Sequence, residues 1–308
     1  MVDPVLRWAG GKRQSLDELY ARFPGEFGTY HEPMLGGGAL FFDLEPEDAT
    51  VNDTNPRLAN FYRQVRDRPV DLLTTLEGFA DPESEPDPDP DRAFAEADRD
   101  DTAVTNYYYQ QRALFNRRPN GEAVDELEEA ALLLYLNRTC YNGLYRENRR
   151  GEFNVHIGRY ANPDWVRSDE LRAASEVLSG ADIRNRDLAC VHEEVTPGDL
   201  VYFDPPYEPM SPTPNFTDYS AAGFGREDQQ RLPELARELD DRGVSVILSN
   251  SGVMFGRYDN AGFRVETEGA TRAINSDADN RDEVEEVIAT NVAPEDRSER
   301  GQQRLDRY

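Results

Sequence analysis

Short apolar runs that stop abruptly at turn residues, with helical patterns between them, constrain this chain more than any other feature. The run Leu200-Val201-Tyr202-Phe203 is halted by Asp204-Pro205-Pro206-Tyr207. Four apolar residues without polar alternation read as a buried strand. Thr29 to Glu32 is a second strand, leading into Pro33-Met34-Leu35-Gly36-Gly37-Gly38, and Ala49 to Asn52 is a third, ending at Asp53. Helical stretches lie around them: Ser15 to Phe23, Ala39 to Leu44, and a helix begun by Pro56 with Leu58, Phe61, Tyr62 and Val65 on one face. The alternation resumes with a strand near Ile183, the run at 200–203, a helix over 227–241, and strands at 244–248, 263–267 and 284–289. Strand and helix in turn imply an α/β sheet of Rossmann-like type.

Between the two halves the pattern changes. Residues 81–101, DPESEPDPDPDRAFAEADRDD, hold ten acids, two arginines and four prolines, a composition suited to a solvated surface insertion. Helical segments at about 103–116 and 122–138 precede TCYNGLYRENRRGEFNVHIGRY, where Gly143 and the region of Gly151 predict a loop and a hairpin. The expected organisation is a discontinuous core, 1–60 and 181–308, holding a mostly helical insert, 61–180.

Composition excludes several classes. Apolar residues make up 38% of the 308, and no run approaches the 18 or so needed to cross a bilayer. The start, MVDPVLRWAGGK, lacks the basic-then-apolar order of a secretory signal. A soluble cytoplasmic protein, acting as a monomer, is expected. Cys140 and Cys190 stand apart from any CxxC or HExxH pattern, so neither a disulfide scaffold nor a metal site is expected. Sixty-one acids face 34 bases for a formal charge of −27, and Lys12 is the sole lysine among those bases. Such an acidic, lysine-poor chain suits a halophilic cytoplasm, where molar salt screens self-repulsion to about 3 Å. The one lysine retained against that trend stands out.

Three motifs carry chemistry. WAGGK, residues 8–12, fails the GxxxxGK[ST] phosphate-loop pattern, with leucine at 6 and arginine at 13. Its glycines and ammonium could still approach an anionic group. EPMLGGG, residues 32–38, places glycines at a strand-to-helix crossing, and Asp53 ends the next strand, as suits hydrogen bonding to a ribose. DPPY, residues 204–207, is more specific. An exocyclic aromatic amine is a poor nucleophile because its lone pair is delocalised into the ring. Accepting both amine hydrogens draws the nitrogen toward a pyramidal shape. Asp204 offers a carboxylate and Pro205 a carbonyl, held rigid by the pair with Pro206, while Tyr207 offers a face for the base to stack on.

The insert reverses the local charge. Over 137–160, arginines at 138, 146, 149, 150 and 159 oppose Glu147 and Glu152, five against two, with tyrosines at 141, 145 and 160 interleaved. Arginine with aromatics in a loop suits contact with phosphates and base edges.

Together these motifs resemble the Dam family of adenine-specific DNA methyltransferases. LRWAGGK, HEPMLGGG, VNDTN, NRTCYNGLYREN, RGEFNVHIGRY, VYFDPPY, NFTDYSAAGF, LSN and VEEVIATN occur in family order from residue 6 to 291. The resemblance implies S-adenosyl-L-methionine as methyl donor and adenine N6 in double-stranded DNA as acceptor, within GATC. It implies cofactor contacts at Trp8, Lys12, Glu32, Gly36, Gly38, Asp53, Asp187 and Asp204, and a catalytic motif at Asp204, Pro205, Pro206 and Tyr207. It also implies DNA recognition by Arg7, Tyr141, Asn142, Leu144 and Arg146. Two positions depart from the family: Met34 where a phenylalanine is common, which removes an aromatic neighbour of the cofactor adenine, and His156 where some members have proline. Two alternatives share the residues: the same fold acting on RNA or a protein amide nitrogen, and a catalytically silent DNA-binding regulator. Intact DPPY and WAGGK weigh against the second.

Overall fold

The computed structural model describes residues 2–85, 106–207, 224–267 and 286–298. Most of the acidic stretch 81–101, the start of the segment 103–116 and the first two positions of the strand 284–289 lie outside the described residues.

Seven strands form one sheet in the order β3-β2-β1-β4-β5-β7-β6. They are β1 Tyr30–Glu32, β2 Ala49–Asn52, β3 Ala181–Arg184, β4 Leu200–Phe203, β5 Ser245–Ser251, β6 Arg264–Thr267 and β7 Glu286–Thr290. The first five are parallel, and β7 lies antiparallel between β5 and β6. This is the α/β, Rossmann-like core expected.

Period-two geometry explains why β4 is apolar throughout. Leu200 and Tyr202 face one hydrophobic cluster, Val201 and Phe203 the other, so neither side of the strand meets water. The first cluster is covered by α3 Pro56–Asp67, α4 Pro69–Glu77, α5 Tyr107–Phe115, α6 Glu126–Thr139 and α7 Ser168–Leu178, following the short α1 Leu16–Tyr20 and α2 Ala39–Leu44. The second lies under α8 Val191–Glu194, α9 Arg226–Asp241 and α10 Phe255–Asn260. The helix expected over Ser15 to Phe23 is instead a 3-10 turn, Lys12–Gln14, followed by the five residues of α1.

Helix α3 starts where its sequence says it should: Asn55 accepts the Arg57 N–H and Pro56 occupies the first turn. It then runs unbroken through position 60, the expected boundary between core and insert, packing on α6, α7 and β3. Helix α6 is buried on all sides from Glu129 to Asn137 because α3, α4 and α5 surround it. The hairpin is tied to its end by a bridge pairing Cys140 with Ile157 and closed by one pairing Glu147 with Phe153. Among the described residues, no helix is long and apolar enough to cross a membrane, and no cluster of His, Cys, Asp and Glu is placed to hold a metal ion.

Candidate active site

The chain leaves β1 toward β2 on one side and leaves β4 toward β5 on the other, so a crease opens between their carboxyl ends. Glu32, the glycine turn, Asp53 and DPPY all lie at those ends.

The glycine turn is shaped by close approach. Gly36 has φ +51° and Gly38 φ +68°, and a Cβ on Gly36 would fall 3.0 Å from the Trp8 ring. Gly37 is tighter still, 2.8 Å from the Trp8 Cβ. Trp8 in turn stacks on Tyr145, with centroids 5.2 Å apart and planes at 27°. The Gly36 N–H donates to Asp53 Oδ2 at 3.0 Å, the Asn55 N–H to Oδ1 at 2.8 Å, and the Tyr62 hydroxyl to the Gly36 carbonyl at 2.8 Å. Asn52 ties Pro33 O and Arg186 O into the same crease at 2.9 and 3.0 Å. Each Asp53 oxygen keeps a lone pair for a further donor. A bare-backbone cradle beside an indole and an oriented carboxylate fits a nucleoside-bearing cofactor.

At the end of β4, Asp204 is 23% exposed, neither packed away nor in bulk solvent. The Lys12 ammonium lies 3.0 Å from its Oδ1 and 4.2 Å from the centroid of the Tyr207 ring, and donates to Gly10 O at 3.2 Å. Burial pushes the Asp204 carboxyl up to about 6; Lys12 opposes that rise and Glu286 adds to it. Glu32 goes further: burial, with the charge of Asp204 a smaller contributor, raises it to about 8, against a Tyr30 hydroxyl that donates to it at 2.7 Å. Asp53 is likewise raised by burial, while the Asn55 and Gly36 N–H groups hold it back. Two sequence expectations look different in space. Lys12, expected as a cofactor contact, is engaged with Asp204 and Tyr207. Asp187 caps a 3-10 turn and sits in an exposed pair with Arg231 at 2.6 Å, which lowers its pKa.

Of the residues expected to recognise DNA, Tyr141, Asn142, Leu144 and Arg146 lie on the hairpin and Arg7 packs against it. Tyr141 is 56% exposed, and Asn142 holds a left-handed φ of 54°. Gly143 is required next to it, since a Cβ would meet the Arg7 side chain at 2.4 Å. Asn137 clamps both main-chain groups of Arg7 at 2.8 Å and Gly143 O at 3.1 Å, so Arg7 and the hairpin share one anchor. The Arg7 guanidinium donates to the Tyr160 hydroxyl at 2.9 Å. Arg146 Nε donates to Asn154 Oδ1 at 2.7 Å, which sets the plane of its guanidinium and leaves donors on its outer edge. Leu144 is partly buried against the main core, and His156 offers its carbonyl to the Tyr141 N–H at 2.8 Å. Met34, in place of an aromatic, packs against the second core cluster.

Sequence reasoning missed Gln229, which donates to Pro206 O at 2.7 Å, and Arg57, which joins the hairpin to α3 through Glu147 at 3.4 Å.

A family model described as D12 class N6 adenine-specific DNA methyltransferase matches residues 8–282. The chain belongs to this family. A type II methyltransferase of Lactococcus lactis subsp. cremoris is 36% identical over 290 residues, covering 94% of this chain and 95% of that one. A type II methyltransferase of Methanocaldococcus jannaschii is 36% identical over 303 residues, covering 94% and 99%. The DNA adenine methylase of Escherichia coli is 33% identical over 287 residues, covering 92% and 93%. As a D12 class enzyme the chain transfers a methyl group from S-adenosyl-L-methionine to adenine N6 in DNA.

Proposed function

We propose that Asp204, Pro205, Pro206 and Tyr207 bind the adenine flipped out of a GATC duplex, and that the glycine-lined crease holds the cofactor. One observation carries this reading: a nitrogen donor, the Lys12 ammonium, already rests between the Asp204 carboxylate and the Tyr207 ring. The target amine needs those same two neighbours, an acceptor and a stacking face. Lys12 therefore yields its place, rather than serving mainly the cofactor.

When bound, S-adenosyl-L-methionine supplies an electrophilic methyl on a positively charged sulfur. Trp8, Glu32, Gly36, Gly38 and Asp53 line its place, with Asp53 directed at the ribose. Asp204 accepts one hydrogen of N6 and Pro205 O the other, which frees the nitrogen lone pair to form its bond to the methyl carbon as the carbon–sulfur bond breaks. The surplus proton on N6 passes to Asp204, whose raised pKa suits it to take one. Alignment and hydrogen bonding carry the rate. Tyr141 and Asn142 enter the stack, Leu144 wedges beside them, and Arg146 and Arg7 read bases in the grooves. Catalytic motif and recognition hairpin come from one chain, so a monomer suffices.

The test is expression in a methylation-free host, with sequencing that reads modified adenines directly. Modified adenine confined to GATC is expected, and a different site overturns the specificity. Asp204→Ala should lower turnover by about 10³-fold or more while cofactor binding persists. Near-normal turnover in that variant removes Asp204 from its role.

A further inference from the structure

We propose that Gln229 is a positioning residue for methyl transfer: it holds the DPPY turn through the carbonyl oxygen of Pro206. The inference rests on the assignment of the Pro205 carbonyl as an acceptor for the target amine.

Neither Pro205 nor Pro206 has an N–H, so this part of the turn can be held only by its carbonyl oxygens. If Pro205 O faces the amine, Pro206 O is what remains for the scaffold. Gln229 Nε2 donates to it at 2.7 Å from the first turn of α9, and the Gln229 side chain is 2% exposed. The pyrrolidine ring of Pro206 fixes its φ, and the peptide joining the two prolines is planar. Between the Pro205 carbonyl and the Tyr207 backbone the soft dihedral is therefore ψ of Pro206, the one that the Gln229 hydrogen bond sets. That bond thus fixes the Pro205 carbonyl and the Tyr207 backbone relative to one another.

The direction of the Gln229 amide is itself forced. The Ser251 N–H can only donate, and it donates to Asn250 Oδ1 at 2.8 Å. Asn250 must then turn its Nδ2 outward, where it donates to Gln229 Oε1 at 3.1 Å and to the Tyr258 hydroxyl at 3.0 Å. With Oε1 so engaged, Gln229 can only present Nε2 to Pro206. Asn250 and Tyr258 are wholly buried, and the start of α9 is fixed by the Gly225 N–H donating to Asp228 at 2.8 Å. The backbone of β5 thereby dictates, through two side-chain amides, where the catalytic turn points.

The experiment measures single-turnover methyl transfer with cofactor and duplex DNA both saturating, alongside their dissociation constants. 2-Aminopurine at the target position reports flipping by fluorescence. Gln229→Leu removes the donor and Gln229→Glu sets an acceptor against Pro206 O. Each should slow transfer by about 10²-fold, the scale of a misplacement near 1 Å, with both dissociation constants and the flipping signal within threefold of wild type. Asn250→Asp keeps Gln229 but presents an acceptor to Oε1, releasing the amide to turn. A loss of about tenfold is expected there, and Asn250→Ser should restore part of it.

An unchanged rate in both Gln229 variants overturns the proposal. So does a rate that falls only in step with binding and melting temperature, or failure of the Gln229 and Asn250 variants alike to fold, which marks the network as scaffold. Asp204→Ala run in parallel separates the two readings. If it retains turnover, the DPPY assignment fails. If it loses turnover while the Gln229 variants do not, only the role of Gln229 fails.

Discussion

In the crease, Glu32 and Asp204 are carboxyl groups drawn into low-dielectric ground, with the Lys12 ammonium at Asp204 and, among the described residues, no cation at ion-pair distance from Glu32. Beneath the recognition hairpin, Glu129 and Glu147 are comparably buried, yet each faces a guanidinium. Arg57 reaches toward both, donates to Phe115 O at 3.2 Å and lies 4.1 Å over the Phe115 ring, while Arg118 grips Glu129 at 2.5 and 2.6 Å. The Tyr145 hydroxyl closes the set on Glu147. One region neutralises its buried acids internally, and the other leaves them short of positive charge. The scaffold presents arginines outward from a settled base, whereas the crease holds its buried carboxyl groups with little opposing charge. The sulfonium and ammonium of the cofactor have the sign it lacks.

The sharpest way to break this contrast is to open the settled side. Arg57→Met leaves Glu147 buried without its guanidinium, and losing one partner of a buried pair costs about 3–5 kcal/mol. Urea unfolding should show a destabilisation of that size, together with weaker DNA binding as the hairpin loosens. Replacing Glu147 by Gln as well should recover part of it, since no charge is then stranded. If Arg57→Met proves harmless, the hairpin draws its order from elsewhere.

Next in size is an effect on recognition alone. Arg146 is exposed and held in plane by Asn154, so Arg146→Ala should leave stability nearly unchanged. Discrimination at one base pair should fall by about 1–3 kcal/mol, as for the loss of a bidentate contact. Methylation rates on duplexes altered one pair at a time read this directly. Uniform weakening on every sequence would make Arg146 a phosphate contact instead.

How much of this could be read beforehand follows from how local each signal is. β4 and DPPY were legible because the strand is apolar on both faces and the turn is made of residues with few conformations. Lys12 stands out as the sole lysine and as part of WAGGK, but its contact with Asp204 is 192 positions away and no spacing announces it. Helix α7 carries a readable stripe in Leu171, Ala174 and Leu178, yet no capping side chain marks its start at the left-handed Arg167. Helix α4 likewise begins at Pro69 without a side-chain cap. Gln229 and Gln230 look alike in sequence, and only the packing of α9 against β5 makes one a buried donor to Pro206 O and the other a surface residue. Arg57 and Glu147 are 90 positions apart, so their pairing belongs to the assembled fold.

The smallest predicted effect tests the unsettled side through pH. In the unfolded chain Glu32 releases its proton near the ordinary 4.5, while in the folded protein it holds it until about 8. Between those values the native state binds more protons than the unfolded state, so this group's contribution to stability falls as pH rises. Glu32→Gln cannot ionise and escapes that decline. Its stability relative to the parent should therefore be greater at pH 8.5 than at pH 5. Cofactor binding should run the other way, because a cationic ligand favours the ionised carboxylate. Affinity in the parent should rise from pH 6 to 8.5 with release of protons, while Glu32→Gln should lose most of that slope. Asp204, raised to about 6 and facing Lys12 and Glu286, accounts for a weaker residual trend near the acid end. Calorimetric titrations in two buffers of different ionisation enthalpy count the protons released. Equal counts for parent and variant would place the missing positive charge elsewhere than beside Glu32.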